Sequence, residues 1–368
     1  MKKYYYSIGL MSGTSIDGVD ASIIKSDGDQ FIEIIDNTFI KYQETFRGEL
    51  KKIISKSTSK YQISKLSKKI QLIEKKLTKY HYKACLAIIL KSGLSFKKID
   101  LIGFHGQTIL HKPNSGYSIQ IGNSSFLSKI TKTNVISNFR QNDILNGGQG
   151  APLTPLYHQL ILKKLKLKLP AAIVNIGGIS NITYINNNNK IISFDTGPGN
   201  FLIDQWVSNK SKNKFDKNGL IAKSGICNKK IVKSFIEKDY YKKKFPKSLD
   251  VKSLKVKNLH KLKLKDGCST LAMLTVETIC LSIKSLKKTP NIILFSGGGR
   301  KNKFIIENIK KRVKCKVSLI DEYDFNGDFI ESQAFAYLSI RSYLKKYITL
   351  PSLTGVKNPC SGGKLSKF

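Results

Sequence analysis

Short apolar segments and longer amphipathic segments alternate along this chain. Apolar runs bounded by Gly, Asn or Ser predict strands at residues 5–10, 21–25, 31–39, 99–104, 133–137, 171–176, 181–185, 191–194 and 291–295. Helical spacing predicts helices at residues 46–90, 269–286, 303–311 and 332–347, with another beginning near Phe201. Lysine-rich helical pieces are expected within 231–264, and a loose tail after 351. This alternation predicts an α/β fold.

The opening pattern of the chain recurs in its second half. A strand, a Gly-rich turn containing Ser and a second strand occupy residues 5–25, and the same order begins again at residue 171. Such a repeat predicts two related α/β domains that face each other, each offering a phosphate-binding turn to one cleft. The expected domains are residues 1–168, completed by the C-terminal helix 331–347, and residues 169–330.

Composition changes this picture little. The chain has 368 residues and a formal net charge of +39, but only five of its 64 basic residues are arginine. The lysines are spread out and are not interleaved with aromatic residues, which favours a solvated surface over a specific nucleic-acid site. No apolar leader precedes the first turn and no run reaches about 18 apolar residues, so we expect a cytoplasmic protein without a membrane span. The six cysteines lack C-x-x-C spacing and are expected to be reduced.

Three glycine clusters stand at strand ends, at residues 13–18, 177–178 and 297–299. Glycine-rich turns expose backbone N–H groups that can bind phosphate, so three such turns can converge on one nucleotide. Taken alone, the first cluster is a weak signal, because a strand, a Gly-rich turn and a second strand more often form an ordinary hairpin. Neither a Walker sequence nor a G-x-G-x-x-G turn between strand and helix is present, which argues against a P-loop protein or a dinucleotide fold.

A few polar side chains could carry chemistry. Asp195 is expected at a strand end beside a Gly-Pro-Gly turn, where it could act as a general base, organise Mg²⁺-bound water, or cap its own loop. Arg140 is one of the five arginines in a chain whose usual cation is lysine. Its presence indicates either a need for the planar, bidentate guanidinium group or a chance retention of arginine. His105 and His111 have no companion ligands for zinc, so hydrogen bonding to a polar substrate or a role in the loop is favoured.

At this point the chain resembles a known family, the anhydro-N-acetylmuramic acid kinases. The resemblance rests on blocks in family order at residues 9–20, 104–108, 138–143, 147–153, 175–181, 194–200 and 296–300, and on Glu331 before 334–336. It implies two ribonuclease-H-like domains with mixed β-sheets flanked by helices, and an ATP cleft between them. It also implies an ATP-dependent kinase that uses Mg²⁺ and acts on a small anhydro amino sugar in cell-wall recycling. A homodimer is compatible with it.

The resemblance also implies roles for individual residues. Asp195 would be the catalytic base. The ATP-binding residues would be Gly13, Thr14, Ser15, Ile16, Asp17, Gly18, Val19, Asp20, Gly177, Gly178, Gly297, Gly298 and Gly299. The sugar-binding residues would be His105, Thr108, Arg140, Asp143 and Glu331, with Arg140 meeting an anionic substituent such as the lactyl carboxylate.

Two departures leave details open. Many kinases of the wider superfamily have an aspartate where this chain has Met11, so the metal ligand is unassigned among Asp17, Asp20 and Asp195. Leu145 and Asn146 stand where the family usually has small residues, which affects the shape of the sugar pocket. The alternatives are a related sugar or carboxylate kinase with another substrate, and a basic nucleotide-binding or RNA-binding module.

Overall fold

The computed structural model describes residues 3–249 and 254–368. Within them the strands are β1 Tyr5–Ser12, β2 Gly18–Ser26, β3 Ile32–Lys41, β4 Leu101–Lys112, β5 Tyr117–Ile121, β6 Asn134–Ser137, β7 Ala171–Ile176, β8 Ile179–Ile185, β9 Ile191–Pro198, β10 Ile292–Ser296, β11 Lys316–Leu319 and β12 Lys364–Ser366. The helices are α1 Glu44–Lys56, α2 Lys60–Lys65, α3 Ser67–Ser92, α4 Ser124–Thr131, α5 Gln141–Leu145, α6 Pro155–Lys164, α7 Phe201–Lys210, α8 Leu220–Lys223, α9 Lys229–Ile236, α10 Asp239–Lys242, α11 Leu264–Lys284, α12 Lys303–Lys310, α13 Ile330–Tyr343 and α14 Pro351–Thr354.

The chain forms two compact units. The first unit extends to Lys164 and takes up the chain again at Phe329–Phe368, and the second unit is Leu165–Asp328. The sequence-based boundaries at 168/169 and 330/331 fall close to these points. The first unit therefore contains both ends of the chain, and helix α13 belongs to it.

The sheet of the first unit has the order β12-β6-β4-β1-β2-β3, with β5 paired to β4. Strand β1 is parallel to β4 and antiparallel to β2. Two glycines let helix α13 pack directly on the central strands: a Cβ at Gly9 would lie 1.8 Å from the Ser332 carbonyl oxygen, and one at Gly103 would lie 2.2 Å from that of Phe335. Apolar residues of the strands and of α3 form the core.

The sheet of the second unit has the order β11-β10-β7-β8-β9. Strand β7 is parallel to β10 and antiparallel to β8, so the pairing senses are those of the first unit. Helix α11 is, in the described part of the chain, the one helix long and apolar enough to span a membrane, but 83% of the tested segment is buried inside the protein. It packs in the core with β7, β8, β9 and β10. The fold is thus a pair of ribonuclease-H-like α/β domains, as expected.

Two local expectations were wrong. Strand β4 continues to Lys112 because its polar continuation pairs with β5, and β9 continues to Pro198 by pairing with β8, so His105, Thr108 and Asp195 lie within strands and do not follow them. The tail after 351 contains helix α14 and strand β12, which pairs with β6. The expectation of helical pieces in the lysine-rich segment 231–264 is confirmed by α9, α10, a 3₁₀ turn at Leu259–Lys261 and the start of α11; residues 250–253 lie outside the described residues.

Candidate active-site residues in each unit

The first glycine turn joins β1 to β2, and hydrogen bonds from nearby side chains fix its position. Ser12 Oγ lies 2.8 Å from the Tyr42 hydroxyl and donates to Gln107 Oε1 at 2.7 Å. Arg47 Nε donates to the Ile16 carbonyl at 2.8 Å, where the backbone has a positive φ of 52°. This bracing fixes the turn without covering it, because a Cβ at Gly13 would meet only Ser15 Oγ, at 3.9 Å.

The eight predicted ATP-binding residues of this segment do not share one environment. Thr14, Ser15 and Asp17 are exposed, and Ser15 Oγ donates to Asp17 Oδ1 at 2.6 Å. Gly18, Val19 and Asp20 already belong to β2. The side chains of Ile16 and Val19 belong to the hydrophobic core of the first unit. These two residues can therefore offer a nucleotide only their backbone atoms.

The first unit brings His105 and Arg140 together. The His105 Nδ1 atom lies 2.8 Å from the Gly106 carbonyl oxygen, which assigns the proton to Nδ1 and leaves Nε2 as an acceptor. Arg140 donates to that Nε2 from Nε at 3.1 Å and from Nη2 at 2.8 Å, and to the Gly150 carbonyl from Nη1 at 2.7 Å. Burial, reinforced by the Arg140 charge, holds the pKa of His105 well below its usual value. A neutral imidazole thus orients the guanidinium.

The other predicted sugar-binding residues lie in the same unit with different roles. Both Asp143 oxygens are used internally: Oδ1 accepts from the Gly150 N–H and Oδ2 from the Thr354 hydroxyl, each at 2.6 Å. Thr108 Oγ1 accepts from Gln120 Nε2 at 3.2 Å. Burial raises the pKa of Glu331, an effect that the charge of Arg140 partly offsets. Asp143 therefore shapes the loop that supports Arg140, and its predicted contact with sugar stays a prediction.

In the second unit, the turn at Gly177 and Gly178 packs against the turn that follows β9. The Gly199 N–H donates to the Gly178 carbonyl at 3.0 Å and the Asn200 N–H to the Gly177 carbonyl at 2.8 Å. A Cβ at Gly199 would lie 2.1 Å from the Gly177 carbonyl oxygen, so only glycine fits there. The two turns therefore form one rigid loop pair.

The third glycine cluster is held by Arg300. Gly297 has a φ of +77°, and Gly298–Lys301 form a short 3₁₀ turn. Arg300 is 4% exposed; it donates to both oxygens of Asp321 at 2.6 and 2.7 Å, to Asp328 at 2.6 Å and to the Gly297 carbonyl at 3.0 Å. These charge-assisted bonds outweigh the cost of burial and keep the pKa values of Asp321 and Asp328 low.

Asp195 is 8% exposed within β9. Its Oδ2 accepts from the Leu249 N–H at 2.8 Å, and its own N–H donates to the Lys247 carbonyl at 3.0 Å. These bonds orient the carboxylate through a segment that is distant in sequence. A general base needs such a fixed position.

Metal ligands do not cluster in the described residues. No group of three or more His, Cys, Asp or Glu side chains that could hold a metal ion occurs in residues 3–249 and 254–368. All six cysteines are free thiols, as expected, and burial raises the pKa values of those in the core, including Cys85 and Cys268.

Several supporting residues could not be found by reasoning from the sequence. Tyr42 and Arg47 brace the first turn from elsewhere in the chain, and neither stands in a motif. Gln107 and Asn175 do lie inside two of the family-like blocks, which was the available signal. A Cβ added at Gly297 would lie 2.3 Å from Asn175 Oδ1, and one added at Gly177 would lie 3.7 Å from Asn175 Nδ2. The side chain of Asn175 therefore lies beside two of the glycine clusters of the second unit.

Comparison with known proteins adds independent evidence. The family model "Anhydro-N-acetylmuramic acid kinase" matches residues 4–367. The anhydro-N-acetylmuramic acid kinase of Pelagibacter ubique is 43% identical with all of both chains aligned, and that of Rhizobium johnstonii is 37% identical over 98% of each chain. A solved structure, component A of (R)-2-hydroxyglutaryl-CoA dehydratase from Acidaminococcus fermentans, aligns with 92% of this chain and 99% of its own. Its TM-score is 0.46 and its sequence identity is 9%.

Proposed function

Because this chain belongs to the anhydro-N-acetylmuramic acid kinase family, it is an ATP-using sugar kinase of peptidoglycan recycling, and we propose that Asp195 is its general base. The reaction opens 1,6-anhydro-N-acetylmuramic acid with water and phosphorylates O6, giving N-acetylmuramic acid 6-phosphate. The observation that supports the role of Asp195 is its nearly buried carboxylate, oriented by the Leu249 N–H.

One carboxylate serves both bond changes. Asp195 accepts a proton from water while the water oxygen bonds to the anomeric carbon, and the bond from that carbon to O6 breaks. The electron pair left on O6 then forms the bond to the γ-phosphorus of ATP, and ADP leaves. The proton ends on Asp195, from which solvent removes it between turnovers.

The sugar is bound in part by Arg140, whose fork His105 and the Gly150 carbonyl orient. His105 stays neutral, so it accepts hydrogen bonds from the guanidinium and adds no repulsive charge. An oriented planar cation suits a carboxylate, which supports contact with the lactyl group of the substrate. Glu331 and Thr108 would hydrogen-bond the uncharged part of the sugar.

The phosphates of ATP would lie against the glycine turns, which offer backbone N–H groups. Mg²⁺ prefers oxygen ligands and commonly keeps several waters and phosphate oxygens, so it needs few protein carboxylates. Bound Mg²⁺ would neutralise charge on the phosphates, and Asp17, Asp20 and Asp195 are the carboxylates that could help hold it. A cytoplasmic location and a homodimer stay predictions.

The test measures ADP release with Mg²⁺ and ATP in the presence of the anhydro sugar, of N-acetylmuramic acid, or of no sugar, and records the product mass. The expected product is heavier than the anhydro sugar by one water and one phosphate. Asp195→Asn should lower kcat by roughly 10²- to 10⁴-fold. Asp324→Asn is the matched control, because Asp324 is exposed in the same unit at a positive φ that asparagine tolerates.

Two results would redirect the assignment. Turnover only with an open sugar would keep the kinase and remove the anhydro substrate, as for a related sugar kinase. If no sugar supports turnover, a binding role for the basic surface becomes the better hypothesis. Titration of RNA affinity against salt then separates specific binding from nonspecific attraction to a polycation.

A further inference from the structure

Four polar residues form one row across the sheet of the second unit. In the strand register, Ser296 on β10 pairs with Asn175 on β7. Asn175 in turn pairs with Asn181 on β8, and Asn181 pairs with Asp195 on β9. Residues paired in this way lie side by side and point to the same face of the sheet. Asn181 is thus the direct neighbour of Asp195.

The neighbouring positions of the strands confirm which face carries the row. Val174, Ile182 and Phe194 alternate with the row and belong to the hydrophobic core, so the polar row lies on the opposite face. Thr183 and Ser193 are the next pair on this face, two positions away from Asn181 and Asp195 along the same two strands. Their Oγ1 and Oγ atoms lie 3.4 Å apart. Cross-strand side chains on this face are therefore within contact distance, and the Cβ atoms of such pairs are typically about 5 Å apart.

The side chain of Asn181 has an unused acceptor. Among the residues that the structure describes, its Oδ1 atom is buried and has no hydrogen-bond partner. A buried polar atom left without a partner destabilises the folded protein, so such atoms are rare and call for an explanation. Because the adjacent group is the carboxylate of Asp195, also an acceptor, a molecule that fits beside both must bring two donors.

We propose that Asn181 orients the water that Asp195 deprotonates. One O–H of this water donates to Asn181 Oδ1 and the other to the Asp195 carboxylate, which leaves a lone pair of the oxygen for the anomeric carbon. The bond to carbon forms as the bond from that carbon to O6 breaks. Asp195 receives one proton, and the O–H held by Asn181 becomes the hydroxyl of the product. This inference rests on the proposed role of Asp195.

Asn181→Ala tests the proposal directly. It should lower kcat by roughly 10- to 100-fold through lost orientation, with the KM values for sugar and ATP changed less than about threefold. Its thermal unfolding midpoint should not fall, because the variant removes an unpaired buried acceptor, whereas a structural role would lower the midpoint. Thr183→Val is the matched control on the same strand and face, and it should keep the kcat of the unaltered protein.

Asn181→Asp provides a second measurement. This variant keeps an acceptor at the same position, so it should retain most of kcat at alkaline pH. A second carboxylate beside Asp195 disfavours a negative charge on both, and the acidic limb of the kcat/KM profile should move to higher pH. Asn181→Asp should therefore recover the activity that Asn181→Ala loses, once the pH is raised.

Three outcomes would overturn the proposal. In the first, Asn181→Ala keeps the original kcat. In the second, raising the Mg²⁺ concentration restores its kcat, which would place a metal-bound water beside Asn181. In the third, the alanine variant keeps the plateau of kcat and only its pH profile shifts, which would mean that the amide donates to Asp195. Asp195→Asn is measured alongside, so that failure of this proposal can be distinguished from failure of the proposed function. If Asp195→Asn keeps its activity, Asp195 is not the general base, and the proposed function itself fails.

Discussion

In the first unit the central strands run β6-β4-β1-β2-β3, and in the second the corresponding strands run β11-β10-β7-β8-β9, with parallel and antiparallel pairs at the same places. The polar residues on these frameworks differ. The first unit holds four of the five histidines, all inside or largely inside the protein: His81, His105, His111 and His158. The second holds Asp195, the polar row and two glycine loops. The same backbone plan thus carries buried histidines in one unit and a carboxylate among polar neighbours in the other.

Arg140 and Arg300 differ in the groups that hold them. Arg300 in the second unit donates to the carboxylates of Asp321 and Asp328, so its charge is used to fix a loop. Arg140 in the first unit is oriented by an imidazole and a carbonyl, and Glu331 acts on it electrostatically. Two carboxylates thus hold the fork of Arg300, whereas an imidazole and a carbonyl help to orient the fork of Arg140.

Acidification should produce the largest difference between the units. Burial lowers the pKa values of His81 and His111 to about 4 and of His158 to about 3, and that of His105 lies well below its usual value. Above pH 6.5, the pKa of histidine in the unfolded chain, these histidines are neutral in both the folded and the unfolded protein, so they do not make the free energy of unfolding depend on pH. Below that pH the unfolded chain binds the extra protons, so stability falls by about 1.4 kcal/mol per pH unit for each histidine, down to the folded pKa.

The second unit should lose stability only at lower pH. Its acid-sensitive pair is Asp321 and Asp328, whose pKa values lie below the usual 3.8, so their contribution is present above 3.8 and is lost as pH falls below it. Trp206, the single tryptophan, is buried in this unit and reports on it by fluorescence. Circular dichroism should change between pH 6.5 and 4 while the emission of Trp206 does not. Simultaneous loss of both signals would show that the units unfold together, and His81→Leu should move the first transition to lower pH.

Two glycine substitutions compare the packing of a glycine turn in each unit. Gly199→Ala in the second unit places a Cβ 2.1 Å from the Gly177 carbonyl, and this overpacking should cost about 1–3 kcal/mol of unfolding free energy. Gly13→Ala in the first unit meets only one atom, at 3.9 Å, and should leave the unfolding free energy nearly unchanged. Urea denaturation measures both. Equal losses in the two variants would mean that the first turn is as tightly packed as the second.

The arginine pair gives the smallest expected effects. Arg300→Lys keeps the charge but loses the fork on Asp321, and should lower the unfolding free energy by about 1–2 kcal/mol, since Asp321 is partly exposed to solvent. Arg140→Lys should instead raise the KM for the sugar about tenfold, a difference of about 1.4 kcal/mol, with a smaller effect on unfolding. A change of sugar KM in Arg300→Lys alone would contradict the contrast between the two arginines.

Much of the framework could be predicted from the sequence. The strand positions of β1, β6, β7, β10 and the helices α11 and α12 follow from apolar spacing, because burial of one face or of both faces leaves a direct pattern. Strand β5, the continuation of β4 and the C-terminal β12 could not be predicted in this way. Their residues are partly polar, and what makes them strands is pairing with neighbours distant in sequence.

The candidate site divides in the same way. The sequence by itself determined the glycine clusters, the aspartate of the second unit and the family to which the chain belongs, because these depend on residue type and order. Only the tertiary structure decided that His105 is the acceptor for Arg140, that Asp143 serves its own loop, and that Asn181 stands beside Asp195. These are consequences of strand register and loop packing, which join residues far apart in the chain and leave no mark on local sequence.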